Sequence, residues 1–235
     1  MTQEDEPAFW SYADLAMFIG LFFPCLFLGF FAARAFGHIP GLSKTFVALL
    51  GQFFAYLFMF GSLLALFRLK YGRPLLRSLG WKYPFHGIAL CLVAGPFMAF
   101  GVGALGFVLR TPIIKLPMFD QMLTDRLTTA FFAIFVVVLG PLSEELAFRG
   151  FLMPLLTRSL GIAAGIALTG LLFGSLHAFE YQWSWRHVLL ISTVGCILGW
   201  VRHTTGSTAA STFLHATYNM TQLVAFLAQQ SRAGC

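Results

Sequence analysis

Two carboxylates side by side in an apolar setting are the first feature of this sequence that could do chemistry. Glu144 and Glu145 follow the apolar run 127–139 and are themselves followed, four residues on, by Arg149. The chain has nine Asp and Glu in 235 residues, and Glu4, Asp5, Glu6 and Asp14 account for four of them near the N-terminus. An ionised side chain at membrane depth costs roughly 2.5–3.5 kcal/mol on insertion scales, so such a residue is a functional candidate by default. On a helix, adjacent residues point about 100° apart, so Glu144 and Glu145 face different partners. Glu145 and Arg149 are i,i+4 neighbours and are expected to form an ion pair. Glu144 is then the uncommitted acid.

Three further polar groups sit on apolar helices downstream. His177 comes one turn after Phe173 on the same face, within Phe-Gly-Ser-Leu-His. His215 and Asn219 are four apart on the last span. Singly, each has a bland reading: a histidine near a span end packs or snorkels, and a membrane Asn bonds across helices. Together, an acid, two histidines and a carboxamide on three helices can face one bundle interior. Asp14, His38, His86, His187 and His203 lie nearer loops or span ends and read as solvated or interfacial.

The elements that must position these residues are membrane helices. The chain is 58% hydrophobic and 10% charged, with 28 Phe and a mean hydropathy of +0.80. Soluble domains carry about 25% charged residues, so the fold class is all-α: a polytopic transmembrane bundle of about seven spans, six to eight. Spans are expected over 14–33, 46–67, 87–109, 127 onward, 160–177, 187–201 and 207–227. Pro154 reads as a turn, and Phe179, Tyr181, Trp183 and Trp185 as an interfacial aromatic belt. If the fourth span enters the bilayer near Leu127, Glu144 is about 25 Å along it. It meets His177 only if that helix continues past the motif.

The formal charge of +6 is dispersed over loops that face anionic lipid, so nucleic acid is excluded as a partner and membrane lipid is expected. The densest cluster, Arg68, Lys70, Arg73, Arg77 and Lys82, favours the cytoplasmic side. Cys25, Cys91, Cys196 and Cys235 have no ligand-like or CxxC spacing and read as small packing residues. The acidic N-terminus is unlike a cleavable signal peptide.

The Glu-Glu-x-x-x-Arg block (Glu144, Glu145, Arg149), the Phe-x-x-x-His block (Phe173, His177) and the His-x-x-x-Asn block (His215, Asn219) occur in this order. Together they resemble the CPBP family of intramembrane proteases: the CAAX prenyl endopeptidases and bacteriocin-processing proteases, also called the ABI family. The resemblance covers roughly residues 127–222. It implies accessory helices over 1–126, a catalytic helical core over 127–235, and residence in a bacterial cell membrane. The activity implied is an endopeptidase acting on peptide or protein substrates in or at the membrane.

In that family the first Glu, the two His and the Asn surround a catalytic water. Carried over, Glu144 is the general base, with His177 polarising the water. His215 and Asn219 donate to the oxyanion, each worth on the order of 2.7–4 kcal/mol, while Glu145 and Arg149 brace the helix. Glu144, His177 and His215 also make a zinc set with one open position, as the family's metalloprotease label implies. A metal-free glutamate mechanism is the other form, and the residues leave both open. The alternatives from other classes are an ion-coupled transporter using the same Glu and His, and a non-catalytic membrane scaffold.

Overall fold

The computed structural model describes residues 8–82, 87–114, 121–123 and 125–233. His86 and Cys235, named above, lie outside them. Among the described residues there is no strand, and the regular structure is helical. Helices α1 (Tyr12–Gly20) and α2 (Phe22–Ala33) form one apolar run with a step at Leu21. There follow α3 (Lys44–Tyr71), α4 (Leu75–Ser78) and α5 (Ile88–Val108). A helical run α6 (Arg126–Leu160) leads to α7 (Ile162–Leu176), α8 (Trp185–Thr205) and α9 (Thr208–Ala233).

Local sequence sets these limits. Ser11 caps α1 in a reciprocal capping box with Asp14, Ser43 caps α3 through Phe46 N at 3.0 Å, and Asp125 caps α6 through Thr128 N at 2.8 Å. Gly72 (φ 64°) and Gly206 (φ 61°) end α3 and α8 in the left-handed region, where a glycine costs least.

Five helical runs are long and apolar enough to cross a membrane: 12–36, 44–71, 88–108, 126–160 and 185–205. The protein is an integral, multi-pass membrane protein. Two of the seven expected spans fall short by that measure. α7 has 15 residues, and α9 has the length but not the apolar composition, since Thr208, Ser211, Thr212, His215, Thr217 and Asn219 all lie in it. Large apolar side chains point outward in quantity, with Phe97, Phe100 and Phe107 between 72% and 86% exposed. Water would not tolerate such a surface; hydrocarbon does.

The chain divides into two compact units. One contains 10–78 and 117–135. In it α2 packs closely on α3, because a Cβ on Gly29 would stand 2.5 Å from Ala55 N and Gly51 O. The start of α6 joins α3 through a 2.8 Å bond between Thr128 Oγ1 and Ser43 Oγ, and through Phe131 against Phe46. Asp14, expected at a solvated span end, is 3% exposed here and bonded to Lys70 and Tyr71, both at 2.6 Å. Its sequence position gives no sign of partners 56 and 57 residues away.

The other unit contains 1–9, 79–116 and 136–235. Here α5 lies on α9, with Gly95 so close to Thr217 that a Cβ would come 2.0 Å from its Oγ1. α7 lies on α8 through glycines on both sides: a Cβ on Gly195 would meet Gly170 Cα at 2.8 Å. Cys91 and Cys196 pack in this unit and Cys25 in the first, all as free thiols.

α6 is not a uniform α-helix. Phe135–Leu139 and Leu146–Leu152 are wound as π-helix, and each stretch is followed within two residues by a proline, Pro141 and Pro154. A proline has no N–H and its ring presses on the carbonyl one turn back, so a widened turn ahead of it relieves the clash. Pro154 therefore does not turn the chain, as its type suggests; the break comes at Gly161 (φ 82°). The run of 35 residues puts Glu144 near its middle, which removes the depth mismatch with His177.

Candidate active site

The polar centre is built entirely within the second unit. Glu145, on the straight turn between the two π stretches, is 0% exposed, as is Arg149. Arg149 Nη1 donates to Glu145 Oε1 at 2.8 Å, the expected i,i+4 pair. Arg149 Nη2 donates to Gly195 O on α8, also at 2.8 Å. Only a glycine-lined α7–α8 contact brings that carbonyl so near. The guanidinium also lies 4.6 Å over the ring of Phe173, a cation–π contact in a site without water's screening.

Phe173 is 2% exposed and organises both histidines. Its ring centroid is 4.9 Å from that of His177 and 5.8 Å, edge to face, from that of His215. His177 stands at the C-cap of α7, where the last carbonyls lack helical partners. Its Nδ1 bonds the Phe173 carbonyl at 2.9 Å. A carbonyl only accepts, so Nδ1 carries the hydrogen and neutral His177 presents a lone pair at Nε2.

His215 is 5% exposed and sits between the two carboxylates. Its Nδ1 is 3.0 Å from Glu145 Oε1, and its Nε2 is 3.8 Å from Glu144 Oε2. An ionised carboxylate only accepts, so Nδ1 again carries the hydrogen. Nε2 then bears one only when His215 is an imidazolium.

Glu144 is the accessible acid, with 29% of its side chain exposed against none of Glu145. Asn219 is half-buried, and its Nδ2 donates to Val136 O at 2.9 Å, inside the first π stretch. One amide hydrogen is thus committed to holding α9 on α6, and the other has no partner among the described residues. Glu144, Glu145, Arg149, Phe173, His177 and His215 form one connected cluster, and Asn219 joins it from its own turn of α9. Among the described residues no group of three or more His, Cys, Asp or Glu side chains is arranged to hold a metal ion.

Two contributors are not apparent in the sequence. The Gly195 carbonyl has no side-chain signature, although glycines four apart at 195 and 199 mark a close helix contact. Glu180, three residues beyond His177, is half-buried in the turns after α7. Burial pushes its carboxyl above the ordinary carboxylate value, nearby Glu144 adds to the rise, and His177 opposes it. It reads alone as a solvated loop charge; only the fold brings it near the acid and the histidine. In the belt beside it, Phe179, Trp183 and Trp185 are 63–81% exposed, while Tyr181 stacks on His187 at 4.7 Å.

Residues 126–221 match the family described as type II CAAX prenyl endopeptidase Rce1-like. The three motifs lie inside that segment, so the match falls where the resemblance to the CPBP, CAAX-protease-related family was expected. The family is one of proteases. No curated protein and no solved structure matches the chain.

Proposed function

We propose that the protein is an intramembrane endopeptidase that hydrolyses peptide bonds of membrane-associated substrates with a water activated by Glu144. The observation that carries this is the sharing of His215 between a buried carboxylate and an accessible one, inside the segment matching the protease family. Glu145 is neutralised by Arg149 and sealed from solvent, so it serves as a fixed anchor. Glu144 is left to take a proton.

The two histidines then have opposite tasks. His177, with its hydrogen committed to Phe173, offers a lone pair that orients the water. Glu144 removes the water's proton as its oxygen adds to the scissile carbonyl. His215, held by Glu145, donates from Nε2 to the oxyanion, and Asn219 donates its free amide hydrogen. Glu144 passes its proton to the leaving amine as the C–N bond breaks. Arg149 and Phe173 hold the imidazole and the acid in register.

Glu144, His177 and His215 are also the residues that would hold zinc, which would lower the pKa of a bound water and polarise the carbonyl. Among the described residues they are not gathered as a ligand set, and the steps above are written for side chains alone. Neither a carrier nor a scaffold draws support from the family match.

The test is a peptide library offered to the reconstituted protein in ¹⁸O-enriched water. Hydrolysis places one heavy oxygen in each new carboxyl terminus, and parallel samples carry a chelator. A zinc enzyme loses activity on chelation and regains it with added metal; a metal-free one ignores the chelator. Absence of cleavage across the set, with Glu144-dependent uptake into sealed vesicles, would overturn the enzyme reading.

A further inference from the structure

A second cavity carries chemistry that the proteolytic site does not use. At the C-terminal end of α5, Gly103, Gly106 and Phe107 line a cleft of about 450 Å³ that Leu190 of α8 closes on another side. That volume lies within the roughly 300–1,000 Å³ typical of ligand pockets. Gly103 has no atom within 4 Å of where a Cβ would stand, so the trough is open beside it. The described lining includes no acidic residue and none of the residues of the site above.

The mouth is cationic, and its backbone is unusual. α5 ends in a Schellman motif, with Thr111 N bonded to Gly106 O at 2.9 Å and Arg110 N to Phe107 O at 3.0 Å. The left-handed position of that motif normally holds glycine. Here it holds Arg110 at φ 50°, a conformation unfavourable for a residue with a Cβ. A second guanidinium joins it: Arg186 Nη1 donates to the Arg110 carbonyl at 3.1 Å. Arg186 Nε and Thr111 Oγ1 are buried and have no hydrogen-bond partner among the described residues. Phe107 lines the cleft and is exposed, and exposed Trp185 lies against the Arg186 guanidinium at 5.4 Å, as aromatic side chains do at the headgroup level of a bilayer.

We infer that this cleft binds one anionic phospholipid, an acyl chain lying along Gly103 and Gly106 and the headgroup phosphate held by Arg110 and Arg186. Two forked guanidiniums suit a phosphate diester, and the orphaned Nε and Oγ1 are the polar atoms such an anion would satisfy. An apolar trough running from a cationic mouth fits a molecule that is charged at one end and hydrocarbon beyond. A zwitterionic lipid fits the trough but not the charge. Free phosphate fits the charge but not the trough.

The experiment reconstitutes the full chain in nanodiscs of phosphatidylcholine containing a minor fraction of phosphatidylglycerol. After detergent extraction, native mass spectrometry counts the retained lipid. The wild-type protein is expected to keep one phosphatidylglycerol. Gly103→Leu, whose Cβ would meet no atom within 4 Å, places bulk in the trough, and Arg110→Gly suits the existing φ while removing the cation. Each is expected to lower retention at least tenfold, as is Arg186→Gln, with thermal unfolding in lipid-free detergent unchanged. Gly61→Leu, at another glycine with open space around it, should retain lipid as the wild type does. Equal retention of phosphatidylcholine, wild-type retention in the Gly103 and Arg110 variants, or displacement of the lipid by inorganic phosphate alone would overturn the proposal.

Discussion

Two buried carboxylates in this protein are treated in opposite ways. Asp14 in the first unit is surrounded by donors: Lys70 Nζ and Tyr71 Oη at 2.6 Å, and Ser11 N and Oγ at 2.8 Å. Oδ1 accepts from Lys70 and Oδ2 from the other three donors, and the cation reaches out to where Lys70 is 50% exposed. In the second unit Glu145 is just as buried, but its neighbour Glu144 is left with a histidine nitrogen 3.8 Å away and an opening to solvent. The first arrangement consumes a charge and locks α1 to α3. The second neutralises one acid and leaves the next accessible, which the proposed chemistry requires. Buried charge alone therefore does not mark a catalytic group; the marker is an acid with unspent acceptor capacity beside a fixed donor.

The comparison breaks most visibly at Arg149. Removing one partner of a fully buried pair costs about 3–5 kcal/mol, so Arg149→Ala should expose the difference in thermal unfolding and in the amount of inserted protein. Replacing both partners, Glu145→Gln with Arg149→Met, should recover much of that stability while leaving cleavage low, because His215 loses its anchor. Recovery of full cleavage in the double variant would show that Glu145 only fills space.

At Asn219 the expected effect is on rate. Asn219→Ala should lower kcat by about 10²–10³ with KM little changed, the mark of a donor used only in the transition state. A raised KM at unchanged kcat would assign Asn219 to substrate positioning, or to its bond with Val136.

Lys70 should matter less than Arg149 by a wide margin. Half of it is exposed and Asp14 keeps three other donors, so Lys70→Ala is expected to shift thermal unfolding far less than Arg149→Ala does. A loss as large as that of Arg149→Ala would erase the distinction between the two regions.

The smallest expected effect is the pH dependence contributed by Glu180. Its folded carboxyl holds a proton more tightly than the unfolded one, so its contribution is complete below the ordinary glutamate pKa. That contribution is lost as pH rises through the folded value. Unfolding followed from acid toward neutral pH should show a decline that Glu180→Gln removes; identical profiles would place Glu180 in water.

Much of the site was legible because its chemistry is local. The Glu145–Arg149 pair, the Phe173–His177 spacing and the His215–Asn219 spacing are one-turn relations that a helix fixes whatever surrounds it. The contacts between helices were not legible. The bond from His215 to Glu145 spans 70 residues, and the Gly195 carbonyl that holds Arg149 is backbone. The helical runs were readable from apolar length. The continuation of α6 through Pro154 was not, because a proline inside a π-widened helix looks in sequence like a turn. Asp14 misled for a related reason: its position three residues after Ser11, at the start of the apolar run, says span end, and only the return of α3 buries it.

The central claim is that Glu144 is reactive because Glu145 is not. It is tested most directly by comparing Glu144→Gln with wild type, in single-turnover cleavage by reconstituted protein. Thermal unfolding of the same samples serves as the control for folding. The account predicts a rate loss on the order of 10²–10⁴ with unfolding unchanged, as expected for removal of a general base from an intact site. Near-wild-type cleavage by a folded Glu144→Gln protein would contradict it.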